Sequence, residues 1–178
     1  MNKAFFFDRD GVINHSNLID GKPHAPLFFQ DFKLLPGIFS IMTFLKNEGF
    51  LIIVITNQPN LSPKRKTLKI SELDKMHKSI LNMLPIDHIY VCPHTTEENC
   101  NCKKPKIGNI LKAADDFSIN LSKSFMVGDR WVDVECAMNA NLKGCFYLDY
   151  KYNEKKPNLN FCNKIDNILE IKKYQNFF

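Results

Sequence analysis

The run Leu51–Ile55 reads Leu-Ile-Ile-Val-Ile, apolar throughout and mostly β-branched. A strand with one wet face alternates polar and apolar residues. A strand without any polar position is buried on both faces, which is how the interior of a helix-covered parallel sheet reads. Shorter runs of the same kind recur at Ala4–Phe7, Ile89–Val91, Phe125–Val127 and Cys145–Leu148. Helical patterns separate them. One covers Ile38–Asn47, entered after Pro36-Gly37 and closed by Gly49. A second runs from a Ser71 cap to Met83, with apolar residues at helical spacing. Two more are expected over Ile107–Phe117 and Trp131–Ala140, and a last small strand and helix over Asn160–Cys162 and Ile165–Lys173. Strands alternating with helices predict parallel βαβ units, hence a doubly wound α/β sheet. The chain has 178 residues, which suits a single domain spanning 1–178.

Ligands on such sheets bind beyond the carboxyl ends of the strands, so the polar residues there are informative. The first strand is followed by Asp8-Arg9-Asp10-Gly11 and the second by Thr56-Asn57-Gln58. After the third come a Cys/His cluster and Lys103-Lys104-Pro105, and after the fourth Gly128-Asp129-Arg130 and then Asp133. Taken singly, each is an ordinary turn, cap or surface lysine. Together they deliver carboxylates, a hydroxyl and lysines to one rim.

These four segments, in this order, resemble the four motifs of the haloacid dehalogenase superfamily of phosphatases. The stretch Cys92-Pro-His94 to Cys100-Asn-Cys102-Lys-Lys-Pro is similar to the subgroup that holds heptose bisphosphate and histidinol-phosphate phosphatases. The resemblance covers about Lys3–Leu148, and the gaps between its motifs are too short to house a large cap domain. It implies that Asp8 attacks phosphorus to give an aspartyl-phosphate, splitting a slow hydrolysis into two steps. Asp10, two residues on and so on the same side of an extended backbone, serves as acid and base. A catalytic Mg²⁺ is implied at Asp8, the backbone carbonyl of Asp10 and Asp129, with Asp133 a ligand either directly or through water, because an anionic nucleophile needs positive charge to approach a phosphate. Lys104 neutralises Asp8 and the phosphoryl group, and Thr56 donates to phosphoryl oxygens. Arg9, Asn57, Gln58, Lys103 and Arg130 are expected on the substrate.

The spacing Cys92-x-His94-x5-Cys100-x-Cys102 offers three thiolates and an imidazole within eleven residues. That set suits a closed tetrahedral Zn²⁺ site, structural because no position stays open for chemistry. It would pin the polar loop 92–102 just before the lysine pair.

The 44 residues of Val12–Ile55 between the first two motifs are nearly half used by a helix and a strand. An open site bordered by Ile13–Phe32, Pro59–Lys69 and the zinc loop follows, fit for a small phosphorylated metabolite. The resemblance favours the sugar phosphate D-glycero-D-manno-heptose 1,7-bisphosphate over histidinol phosphate. Lys103 stands where the heptose enzymes commonly carry Arg, and Pro59–Arg65 departs from their glycine-rich loop. A net charge of +5 suits an anionic substrate and is too small to indicate nucleic acid, so a nucleic-acid 3′-phosphatase is disfavoured. An inactive binding module is disfavoured because Asp8, Asp10, Lys104 and Asp129 are all present. No apolar run approaches the ~20 residues a bilayer requires, and an acidic residue, Asp8, comes within the first eight positions. A cytoplasmic monomer without membrane contact is the expectation.

Overall fold

The computed structural model describes all residues, Met1–Phe178. Its six-stranded sheet has the order β5-β4-β1-β6-β7-β8, and every neighbouring pair is parallel. The strands are β1 (Lys3–Phe7), β4 (Phe50–Asn57), β5 (His88–Cys92), β6 (Phe125–Gly128), β7 (Gly144–Leu148) and β8 (Cys162–Ile165). The helices are α1 (Ile38–Asn47), α2 (Ile70–Met83), α3 (Gly108–Asp116) and α4 (Trp131–Asn139). No further domain is inserted between β1 and α1. That segment instead carries a small antiparallel hairpin, β2 (Asn17–Ile19) and β3 (Lys22–His24).

The central strands are buried on both faces, as the apolar run required. Phe5 and Phe7 point to one side, where Ile41, Met42 and Leu45 of α1 meet Ile80 of α2 and Ile168 and Ile171 near the C-terminus. Ala4 and Phe6 point to the other, against Ile110 and Ala113 of α3 and Val134 and Ala137 of α4. Helices therefore cover both faces. Strand order reverses at β1, whose neighbours are β4 on one side and β6 on the other. A crevice opens beyond the strand ends at such a reversal. Asp8 follows β1 there and Asp129 follows β6.

Three local expectations are corrected. Ser71 does not cap α2: Lys69 holds that position without a side-chain hydrogen bond, and Ser71 lies inside the helix. The last strand comes later than Asn160–Cys162, and the segment after it, Ile168–Phe177, winds as 3₁₀ turns rather than as an α-helix. The hairpin was not anticipated, although Asp20-Gly21 at its tip is a strong turn signal. Both residues have positive φ, 50° and 72°.

Candidate active site

Lys104 is the hub of the site floor. Its ammonium is buried and lies 2.7 Å from Asp8 Oδ1, from Asp133 Oδ1 and from the carbonyl oxygen of Ile55. Burial alone would pull this ammonium toward neutrality. Asp133 and Asp8 outweigh that and hold it above its ordinary range. Asp8 is pushed up to about 6, chiefly by burial, with Lys104 opposing and the Asp133 and Asp10 charges adding. Its Oδ1 is engaged by Lys104, and its side chain is open to the cleft.

Asp129 completes the floor. Burial, then the nearby Asp8 and Asp133 charges, push it well above the usual carboxylate range. One oxygen each of Asp8, Asp129 and Asp133 lies within 4.8 Å of the others. Three carboxylates against one lysine leave an excess of negative charge. Asp129 Oδ1 is also buried without any hydrogen-bond partner. An orphaned carboxylate oxygen in an anionic pocket fits a hard divalent cation such as Mg²⁺. Asp133 has less to offer, since Lys104 is beside Oδ1 and the Arg130 backbone N–H donates to Oδ2. Two glycines make the crowding tolerable. A Cβ on Gly11, at φ +92°, would lie 1.9 Å from Asp129 Oδ2, and one on Gly128 would lie 2.1 Å from the Asp133 Cβ.

Asp10 lines the cleft wall, but both its oxygens are engaged by other side chains. Arg9 Nε and Nη2, Asn14 Nδ2 and Gln58 Nε2 make five donor contacts to them at 2.6–3.2 Å. This corrects the expectation for Arg9 and Gln58. Both are fully buried and turned onto Asp10, so neither offers a donor to a substrate. Arg9 stacks on Phe32 with 5.6 Å between guanidinium and ring centre, and its Nη1 lies 3.2 Å from His77 Nε2. Burial, then the Arg9 charge, push His77 down to about 4. The ring is therefore neutral near pH 7, with a lone pair to accept from Arg9.

The remaining expected residues divide. Thr56 is buried beneath the cleft and accepts from Gln58. Asn57 lines the cleft, and its amide is tied at both ends to the Lys104 backbone. Arg130 lines it too, with its guanidinium paired to Glu154. Lys103 is absent from the lining. Its Nζ donates instead to the His94 carbonyl, 3.2 Å away, so the expected substrate contact is corrected to a contact within the cysteine loop. The free cation in the cleft is Arg65, exposed and paired with no carboxylate. In the sequence it stands out only as part of the Pro59–Arg65 loop.

The four metal-type residues of that loop converge. Cys102 Sγ lies 3.3 Å from His94 Nδ1 and 3.5 Å from Cys100 Sγ, and Cys92 Sγ lies 3.6 Å from both of those atoms. Bonds of ~2.0–2.3 Å in a tetrahedron give edges of about 3.3–3.8 Å, so the donor set fits zinc. Glu98 in the same loop accepts from Thr95 N and from Ser62 Oγ, at 2.6 and 2.7 Å. It thereby fastens the cysteine loop to the loop that carries Asn60 and Arg65. Two further residues lie beyond the last motif: Tyr152, whose hydroxyl donates to Asp129, and Glu154. Nothing in their spacing marks them, because what matters is where the chain returns after β7.

A phosphatase of the haloacid dehalogenase type is the class that this sheet and rim of carboxylates define, and the HAD-hydrolase-like family model matches residues 101–164. The D-glycero-beta-D-manno-heptose-1,7-bisphosphate 7-phosphatase of Helicobacter pylori strain J99 is 39% identical over 83% of this chain and 83% of its own length. The corresponding alpha-heptose enzyme of Campylobacter jejuni is 35% identical over 99% of this chain and 95% of its own. A D,D-heptose 1,7-bisphosphate phosphatase from B. bronchiseptica, crystallised with magnesium and phosphate, superposes with a TM-score of 0.69 at 27% identity, covering 82% of this chain and 79% of that one. The chain belongs to the heptose-1,7-bisphosphate phosphatase family of the haloacid dehalogenase superfamily. It is a phosphoric monoester hydrolase.

Proposed function

We propose that this enzyme removes the 7-phosphate of a D-glycero-D-manno-heptose 1,7-bisphosphate through an aspartyl-phosphate on Asp8. The observation that carries the reading is Lys104, held at 2.7 Å from both Asp8 and Asp133 beside the orphaned Asp129 oxygen. Lys104 holds Oδ1 of Asp8 and leaves the other oxygen to attack phosphorus. Asp8 and Asp129 carboxylates and the Asp10 carbonyl would hold Mg²⁺, with Asp133 acting mainly to orient Lys104 and the Arg130 backbone. When bound, the ion neutralises the phosphoryl oxygens against the aspartates. Asp10 passes a proton to the leaving alkoxide and later takes one from the attacking water. Its oxygens already accept five donor contacts, so each transfer requires one of those partners to withdraw.

The rest of the substrate faces polar residues from three loops. His24 comes from the hairpin, Asn60 and Arg65 from the loop after β4, and Arg130 from the loop after β6. Arg65 is the unpaired guanidinium suited to a second phosphate, and it takes the part expected of Lys103. The cysteine loop holds Zn²⁺ as a brace and takes no part in chemistry.

Phosphate release tests the reading across both anomers of the heptose bisphosphate, histidinol phosphate, another sugar phosphate and a 3′-phosphorylated oligonucleotide. The expected result is a kcat/KM for one heptose anomer at least tenfold above every non-heptose substrate. A preference for histidinol phosphate or the oligonucleotide would overturn it.

A further inference from the structure

Asp129 has two oxygens in unlike situations. Oδ1 is buried and unpartnered. Oδ2 is pinned between Gly11, where a Cβ would lie 1.9 Å away, and the hydroxyl of Tyr152, which donates to it at 2.8 Å. Tyr152 belongs to none of the strand-end segments. It lies on the strap that follows β7, and it is itself buried. The residues around it are fastened on both sides. The Asn153 backbone N–H donates to the carbonyl of Gly21 at the hairpin tip, 2.8 Å away, and Glu154 accepts from Arg130 Nε at 3.0 Å. The Tyr152 carbonyl accepts from Lys156 Nζ. The strap therefore reaches from the hairpin lip of the cleft to the loop after β6, and the phenol is set between them.

A carboxylate with both oxygens free can turn about its Cβ–Cγ bond. It must then lose that freedom, and any hydrogen bonds to alternative partners, whenever it takes a cation. A donor fixed on Oδ2 removes the freedom beforehand and leaves Oδ1 as the oxygen presented to Asp8 and Asp133. Groups that hold a ligand in this way set metal affinity, and their loss costs about 10–100-fold.

We infer that Tyr152 is a positioning residue for Asp129 and sets the affinity of the site for Mg²⁺, acting from the strap rather than from any of the four motif segments. The inference rests on the reading that Asp8 and Asp129 hold the ion. Calorimetric titration of the Mg²⁺-depleted protein, its cysteine loop left zinc-loaded, with Mg²⁺ alone and without substrate, tests it. Tyr152→Phe keeps the ring and removes only the donor, so packing is preserved. The expected result is a Kd for Mg²⁺ at least tenfold weaker than that of the wild type. Thermal melts without Mg²⁺ should be nearly superimposable, and kcat should recover at saturating Mg²⁺. Tyr150→Phe is the control. Its ring lies 5.6 Å from that of Tyr152 and it is partly exposed, so its Kd should match the wild type. Equal or tighter binding by Tyr152→Phe, or a kcat that stays low at saturating Mg²⁺, would overturn the inference while leaving the metal reading intact. A wild-type protein that binds no Mg²⁺ would overturn both.

Discussion

Asp8 is the nucleophile in the proposed reaction, and its amide analogue separates chemistry from folding. Asp8→Asn keeps the shape and an oxygen for Lys104 but is a poor nucleophile. Turnover should fall to background in a phosphate-release assay while the thermal melt stays cooperative. Steady-state activity in a clean preparation would remove Asp8 from its role. The cations near it carry a second prediction. Arg65→Ala should raise KM for a bisphosphate by about tenfold or more, as expected when a charge-assisted contact shared by ground and transition states is lost. Lys103→Ala should leave KM within about twofold, because Lys103 serves the His94 carbonyl. If KM moved with Lys103 and not with Arg65, the anion-binding roles would be reversed.

At the scale of elements, α2 reaches the active site through one side chain. His77 accepts from Arg9, and Arg9 grips Asp10. His77→Leu should lower kcat several-fold with little change in KM, and His77→Gln, which restores an acceptor, should recover most of it. The same histidine makes a pH prediction. The unfolded chain takes the proton near 6.5, while the folded protein resists until about 4. The unfolded state therefore binds more protons through that window, and His77 makes stability fall as pH drops from about 6.5 to about 4. Urea melts of wild type and His77→Gln should diverge in slope there and run parallel above pH 7. The cysteine loop is the other element with reach. Glu98 bonds Ser62, so stripping the zinc proposed for this loop should free the Arg65 loop and raise KM before it lowers kcat. A parallel loss of both would mean that the loop supports the floor instead.

These elements also show what the sequence could and could not disclose. Asp8, Lys104, Asp129 and the cysteine cluster were legible because they sit at strand ends or at ligand spacing, and topology alone gathers strand ends. Arg9 was misread because neighbours on a turning backbone diverge: Asp8 faces the cleft and Arg9 is buried beneath Phe32. Lys103 was misread because which of two adjacent lysines reaches the floor depends on tertiary approach. Tyr152 and His77 had no signal, since each matters through one contact made by chain that returns from elsewhere.

The whole molecule is held by a sheet whose inner strand β1 also leads directly into Asp8. Phe5 is fully buried, with the rings of Phe50, Phe125, Phe146 and Phe178 at 4.7–6.0 Å. Phe5→Ala should cost about 3–5 kcal/mol by chemical denaturation, as for other large aromatic truncations in packed cores. It should do so without changing KM under conditions where the protein stays folded, because the Phe5 ring packs on Phe50 and Phe125, the first residues of β4 and β6, whereas the site lies beyond the last residues of those strands. A loss well below that range would mean that the surrounding rings collapse into the space.

The strap over the loop after β6 has a practical corollary in optics. The chain contains a single tryptophan, Trp131, the first residue of α4 and the neighbour of Arg130. The ammonium of strap residue Lys155 lies over its ring, 4.4 Å from the centroid. A cation seated on an indole face shifts its emission and shields it from collisional quenchers. Unlabelled protein therefore carries a built-in fluorophore against the strap, and quenching by acrylamide reports its docking in real time, in any buffer, without a substrate.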